Sequence, residues 1–390
     1  MANVDQLIKQ SRSADEKAEG AAAKLAALSM AAVTEIVASL REDSKTGAWN
    51  LARVLLTIRD PEIVPVFLDL MDDANVILRL TAFKGLGFWK DERGRQRLLT
   101  ELTDQKKDEG RRTLAAQALG DIGDERSVAE LRSIANEISK REDVVPAITA
   151  PAAVAIEINE SALRLLISIA VALAKLGSHE MASTVVSLTR YRGGDEYSED
   201  EVLRTEAVRA LQSIVGPGVF AALQAALRDE YAEVWPAAID ALFYLGLKES
   251  IGELVALSEK GSPDAAHHAL IRLRDLTGES FSGESAAGLS EWWAGHAADY
   301  QSNICYRMGK PIKLPTVIEL LREPHLQDEV IRELIVITGE RFGYNSYAPK
   351  KGRGDELHTR AQEWLKENGN RFTVGGLYKY GRKQEPKQVF

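Results

Sequence analysis

Few residues in this 390-residue chain have the types and spacing that chemistry requires. Asp264 and His268 stand four apart, so a helix would bring both to one face as two metal ligands, but no third ligand follows at a usable spacing. Cys305 is the single cysteine, which rules out an intramolecular disulfide, and with no base beside it in sequence it reads as a small buried hydrophobe. The carboxylates Asp195, Glu196, Glu199, Asp200 and Glu201 lack the central glycine and the spacing of a calcium loop, so they read as a solvated acidic segment. No phosphate-binding lysine loop, dinucleotide fingerprint, nucleophile elbow or zinc-protease helix motif occurs. The expectation is a non-enzyme: no catalytic residue, no bound metal and no cofactor.

Charge narrows the partners. The net charge is −9 and the pI about 5.4, which argues against nucleic acid, whose binders carry a basic footprint. Two short basic clusters, Lys106, Lys107, Arg111 and Arg112, and Lys350, Lys351 and Arg353, do not change that balance. An acidic surface favours a protein partner with a basic contact surface. The N-terminal residues are polar, and no apolar stretch approaches the length of a membrane span, so the expected location is cytoplasmic, without membrane. The sequence leaves the oligomeric state open.

The elements that position these residues are legible because the chain repeats itself. The run from Arg79 to Arg93 aligns with that from Arg112 to Arg126 at an offset of 33, with Arg, Ala, Leu, Gly, Asp, Glu and Arg identical. Such a period marks a solenoid. Leu114, Ala115, Ala118, Leu119 and Ile122 form one helical stripe, Gly123 supplies a left-handed stop, and Asp124 caps a second helix carrying Val128, Leu131 and Ile134. Each repeat is therefore a helix, two residues of punctuation, and a second helix. The frame recurs around Ala52, Leu173, Leu211, Leu242 and Leu273. In this frame Trp89 takes the core position of Ile122, and Tyr244 aligns with Asp121, which predicts that it faces solvent and can touch a partner.

The pattern of Ala115, Ala118, Leu119, Gly120, Ile122, Gly123, Asp124, Val128 and Leu131 resembles the HEAT family, in particular the short bacterial repeats named after phycobilisome lyases. The resemblance implies an all-α, HEAT-like α-solenoid, a right-handed superhelix of antiparallel helix pairs; Gln212 departs from it where the family often has glycine. The expected organisation is an N-terminal helical cap (1–48), the repeat array (49–278), a C-terminal helical extension (279–370) and a basic tail (371–390), either disordered at its end or lying along the array. The extension, like that of uncharacterised bacterial HEAT proteins, holds a second duplication: Leu270 to Phe281 aligns with Ile331 to Phe342 at an offset of 61, each helix ending on Thr-Gly before a Trp-bearing helix.

Two insertions interrupt the array, at 138–160, where two prolines break an apolar run, and at 190–203. Insertions in a solenoid map to loops, often on the binding face. The second combines Gly193 and Gly194 with Tyr191, Asp195, Tyr197, Glu199 and Asp200. Together with Tyr244 these are the expected protein-contact residues, because tyrosine anchors interfaces and acidic rims steer basic partners. The expected role is a scaffold or adaptor acting through its concave face and loops, as a chaperone or an inhibitor of a secreted or toxic protein. The alternatives implied by resemblance are a bilin-lyase-like enzyme subunit and a HEAT-type nucleic-acid-binding protein.

Overall fold

The computed structural model describes residues 4–13, 16–45, 47–152, 157–193, 199–279, 281, 288–344 and 353–390. They form two compact units: residues 1–130, 321–331 and 341–361 make the first, and 131–320, 332–340 and 362–390 the second.

The repeat punctuation falls where the sequence puts it. Helix Val76–Trp89 starts on Asn75, whose side chain accepts the N–H groups of Ile77 and Leu78. It ends on Lys90 in the left-handed region, and Asp91 caps Glu92–Thr103 by accepting from Arg93 and Gly94. Glu109–Ile122 ends on Gly123, at φ 77°, and the Asp124 side chain accepts from the Arg126 N–H. Lys90 thus holds with a side chain (φ 50°) the conformation that Gly123 adopts without steric cost.

In the first unit the helices Ala48–Leu55, Val76–Trp89 and Glu109–Ile122 pack in succession, and the second helices Ile63–Leu70 and Glu92–Thr103 pack likewise. In the second unit Glu160–Lys175, Asp200–Ala210, Val234–Leu245 and Pro263–Thr277 form the same ladder, with Ala182–Leu188 on Val219–Ala226. Leu86, Leu119, Leu173, Leu211 and Leu242, at one matching position per repeat, are all 0% exposed, and Leu270, which follows in the same register, is 6% exposed. Each such burial stabilises the fold by roughly 1.5–3 kcal/mol relative to exposure. Close approach matters at Gly85, where a Cβ would lie 2.4 Å from the Phe67 ring. Trp89 departs from its aligned partner: Ile122 is buried, whereas Trp89 is half-buried at its helix end.

In the 138–160 insertion a short helix, Val145–Thr149, starts with Pro146 in its first turn, where the missing N–H costs nothing; residues 153–156 lie outside the described set. The second duplication also holds. Pro263–Thr277 and Gln327–Thr338 each end on a threonine whose Oγ1 donates to the carbonyl four residues back, 2.7 Å in both, followed by a left-handed glycine. Each is followed further on by a two-stranded hairpin, Tyr306–Arg307 with Lys310–Pro311 and Leu377–Lys379 with Arg382–Gln384. Of the two alternatives for the tail, the structure shows the ordered one: Val389 is fully buried and the Phe390 ring lies 4.9 Å from that of Phe220.

Candidate protein-binding site

The neck of the 190–203 insertion is built around one carboxylate. Glu160, in the first turn of Glu160–Lys175, accepts the Tyr191 hydroxyl on Oε1 at 3.1 Å and the Glu199 N–H on Oε2 at 3.2 Å. The two ends of the loop are thereby fastened to the same helix start. Arg164, one turn on, pairs with the Glu199 carboxylate, which holds that acid below the usual range. On the entering side the Arg192 N–H donates to the Pro151 carbonyl at 2.8 Å.

Beneath the neck lies Arg204, whose side chain is 0% exposed. It donates to the Tyr191 carbonyl at 2.8 Å, pairs with Asp200 at 3.0 Å and Asp229 at 3.1 Å, and stacks 4.9 Å from the Tyr231 ring centre. A buried guanidinium is tolerated when carboxylates and acceptors surround it in this way. Arg204 is the repeat position of Arg79 and Arg112. Arg79 donates to the carbonyls of Asp73 and Ala74, and the buried Arg112 to that of Leu102 at 2.9 Å. In each of the three repeats the arginine satisfies a carbonyl of the segment leading into its own helix. The identity of Arg79 and Arg112 in the aligned windows was the available signal for this role.

The expected contact residues separate into distinct environments. Tyr191 is 2% exposed, which corrects its placement as a reaching side chain; it is a core residue of the neck. Asp200 serves Arg204, and Glu199 serves Arg164. Asp195 and Tyr197 lie outside the described residues, which resume at Glu199. Tyr244 is half-buried rather than solvent-facing: it lines a cavity of about 40 Å³ with Cys305, Tyr306, Glu333 and Phe372, room for only a few waters. The exposed apolar side chains beside the neck are two for which the sequence predicts no contact, Val202 (40%) and Tyr231 (37%).

The other chemical candidates are similarly accounted for. His268 Nε2 faces Asp240 at 3.2 Å rather than pairing with Asp264, and Arg272 shares that carboxylate at 2.9 Å. Among the described residues no group of three His, Cys, Asp or Glu side chains is arranged to hold a metal. Burial pushes the Cys305 thiol up to about 12. Arg111 and Lys107 of the first basic cluster face Asp72 and the fully buried Glu101. In the second cluster Arg353 pairs with Asp328, and Lys350 and Lys351 lie outside the described residues. Among the described residues no single helix is long and apolar enough to cross a membrane.

Stacked helix pairs with a buried leucine ladder in each unit define an all-α solenoid fold. The HEAT-repeat family model matches residues 33–120 and again 64–149, so this stretch carries HEAT repeats. Among solved structures it is similar to human deoxyhypusine hydroxylase in complex with glycerol, at 16% identity over 69% of this chain and 91% of that one, with a TM-score of 0.29. An engineered protein matches at 18% identity over 94% and 98% of the two chains, with a TM-score of 0.31. Kap121p matches at 13% identity over 97% of this chain but only 44% of its own length, with a TM-score of 0.26. Likenesses at this level carry neither an activity nor a partner to this chain. No curated protein matches it.

Proposed function

We propose that this chain is a non-enzymatic protein-binding scaffold that presents the 190–203 insertion to a partner with a basic contact surface. One observation supports this reading above the others: Glu160 fastens both ends of the insertion, so the loop leaves the array from a fixed neck instead of being tolerated length. A fixed neck lowers the ordering cost of binding, because the residues that form it are already in place. Val202 and Tyr231 offer apolar contact area beside the neck, and the acidic character of the loop suits a basic partner. An adaptor, a chaperone and an inhibitor of a basic protein would all use the loop in this way.

The test is a paired capture from the native cell, using the full chain and a chain lacking residues 192–200 at matched concentration. The expected result is a basic protein retained by the full chain, released by moderate salt, and lost on deletion. Equal capture by both chains would assign recognition to the array and leave the loop without a part in it.

A further inference from the structure

In the second unit, carbonyls at the carboxyl ends of successive helices receive donors from two short C-terminal segments. Arg382 donates to Lys175 O at 3.3 Å and Lys379 to Gln212 O at 2.6 Å. The Tyr306 N–H reaches Gly246 O at 2.7 Å. The N–H groups of Met308 and Gly309 fill Asp275 O and Leu276 O, at 2.9 and 2.8 Å. Those of Tyr380 and Gly381 fill Val336 O and Ile337 O, at 2.7 and 2.8 Å. Helix carboxyl ends carry unfilled acceptors and partial negative charge, so a row of them suits a segment rich in N–H groups and cations.

The row accepts the same device twice. Tyr306-Arg307-Met308-Gly309-Lys310 and Tyr378-Lys379-Tyr380-Gly381-Arg382 share an order of aromatic, cation, turn residue, glycine and cation. Both turns use paired left-handed residues, φ 51° and 69° in the first and 49° and 80° in the second. The tyrosine hydroxyls match as well, Tyr306 accepting from the Gln301 N–H at 2.7 Å and Tyr378 from the Thr373 N–H at 2.8 Å. What differs is the buried cation. Arg307 faces the carboxylates of Glu333 at 3.4 Å and Asp275 at 3.8 Å and stacks on Phe243. Lys379 is 1% exposed and donates to the Gln212 carbonyl, and among the described residues no carboxylate pairs with it. Desolvating an ammonium without a counter-charge opposes docking, so the second hairpin is held less firmly than its contacts alone would give.

We propose that this row of helix ends is a docking edge for a cationic hairpin of the Tyr-Lys-x-Gly-Arg type and that residues 377–390 are its exchangeable resident occupant. The groups around the exchange point are Lys379, Arg382, the Cys305 thiol and His179, whose Nδ1 accepts the Val215 N–H at 3.2 Å. Burial pushes Lys379 down to about 8, so the docked hairpin gains hold as pH rises from about 8 towards the ordinary 10.5, where the free lysine is still charged and the buried one is not.

Cys305 reports on the edge without engineering. It is the single cysteine, it is 5% exposed, and its N–H donates to Gly375 O at 2.9 Å just before the second hairpin. In full-length Lys379→Glu, labelling of Cys305 by an aromatic disulfide should run at least about tenfold faster than in the parent, with the helix content of the array retained. A synthetic peptide of residues 377–390 should then return the rate towards the parent value, while a scrambled peptide should not. If Lys379→Glu fails to fold, Tyr380→Ala, which loses the 2.6 Å contact to Ser213, takes its place with the same readout. A folded variant whose Cys305 stays as protected as in the parent overturns the proposal, as does a peptide that gives no protection. Global unfolding of both variants also overturns it, because the segment would then be a fixed part of the core. No outside partner enters the test, so it can fail while the loop reading stands, and the reverse.

Discussion

The insertion at 190–203 and the hairpin at 377–384 are both additions to a plain repeat, and they are held in opposite ways. Among the described residues the insertion is held at its neck, where one carboxylate takes a donor from each side. The hairpin is gripped along its length, its cations and turn N–H groups bonded to helix ends. Bonds at a neck fix where a segment starts and ends, whereas bonds along its length cover the surface beneath it.

Arg204→Ala attacks the neck most severely. It leaves Asp200 and the Tyr191 carbonyl without this cation and Asp229 with Arg192 alone, at 3.7 Å, and should cost about 3–5 kcal/mol, as breaking buried ion pairs does. Denaturant unfolding measures this, and a loss under about 1 kcal/mol would mean that the neck is not built on Arg204. Glu160→Ala removes one bond from each loop end and leaves the Arg204, Arg164 and Pro151 contacts in place. It should lower stability by about 1–2 kcal/mol for the hydrogen bonds lost and speed proteolysis within residues 190–201 well beyond that of the parent. Unchanged cleavage would erase the contrast with the hairpin.

Acid acts on the other side of the comparison. His179 is held down to about 4 by burial and by the nearby Lys379 and Arg382. Between the ordinary value near 6.5 and about 4, the unfolded chain binds a proton that the folded one refuses, so stability should fall as pH falls through that window. Comparing His179→Gln with the parent between about pH 6.5 and 5 isolates the effect: the variant should lose less, and parallel curves would detach His179 from the hairpin's cations. The smallest expected effect is a control in the repeat itself, away from both additions. Lys90→Gly relaxes a left-handed residue and should stabilise by about 0.5–1 kcal/mol; destabilisation would mean that the Lys90 side chain contributes more than its backbone costs.

The repeat was legible because its signals are local and periodic: Gly123, Asp124 and the leucine ladder announce themselves within one helix turn of each other. The role of Arg204 was written in the identity of Arg79 with Arg112, but its partners Asp200 and Asp229 come together only in three dimensions. Tyr191 was misplaced for the same reason, since a tyrosine beside two glycines looks like loop until Glu160 closes over it. The hairpins are harder to see in sequence than the aligned helix ends at Thr277 and Thr338, because the matching Tyr-cation-x-Gly-cation runs lie further on at a different spacing.

Whether the neck exists to present the loop is decided by the association rate of the captured basic partner as a function of salt, for the full chain and for the chain lacking residues 192–200. Deletion should make association at least about tenfold slower and its salt dependence flatter, since acidic rims act mainly on encounter. Identical rates and slopes in the two chains would contradict a presenting role for the loop.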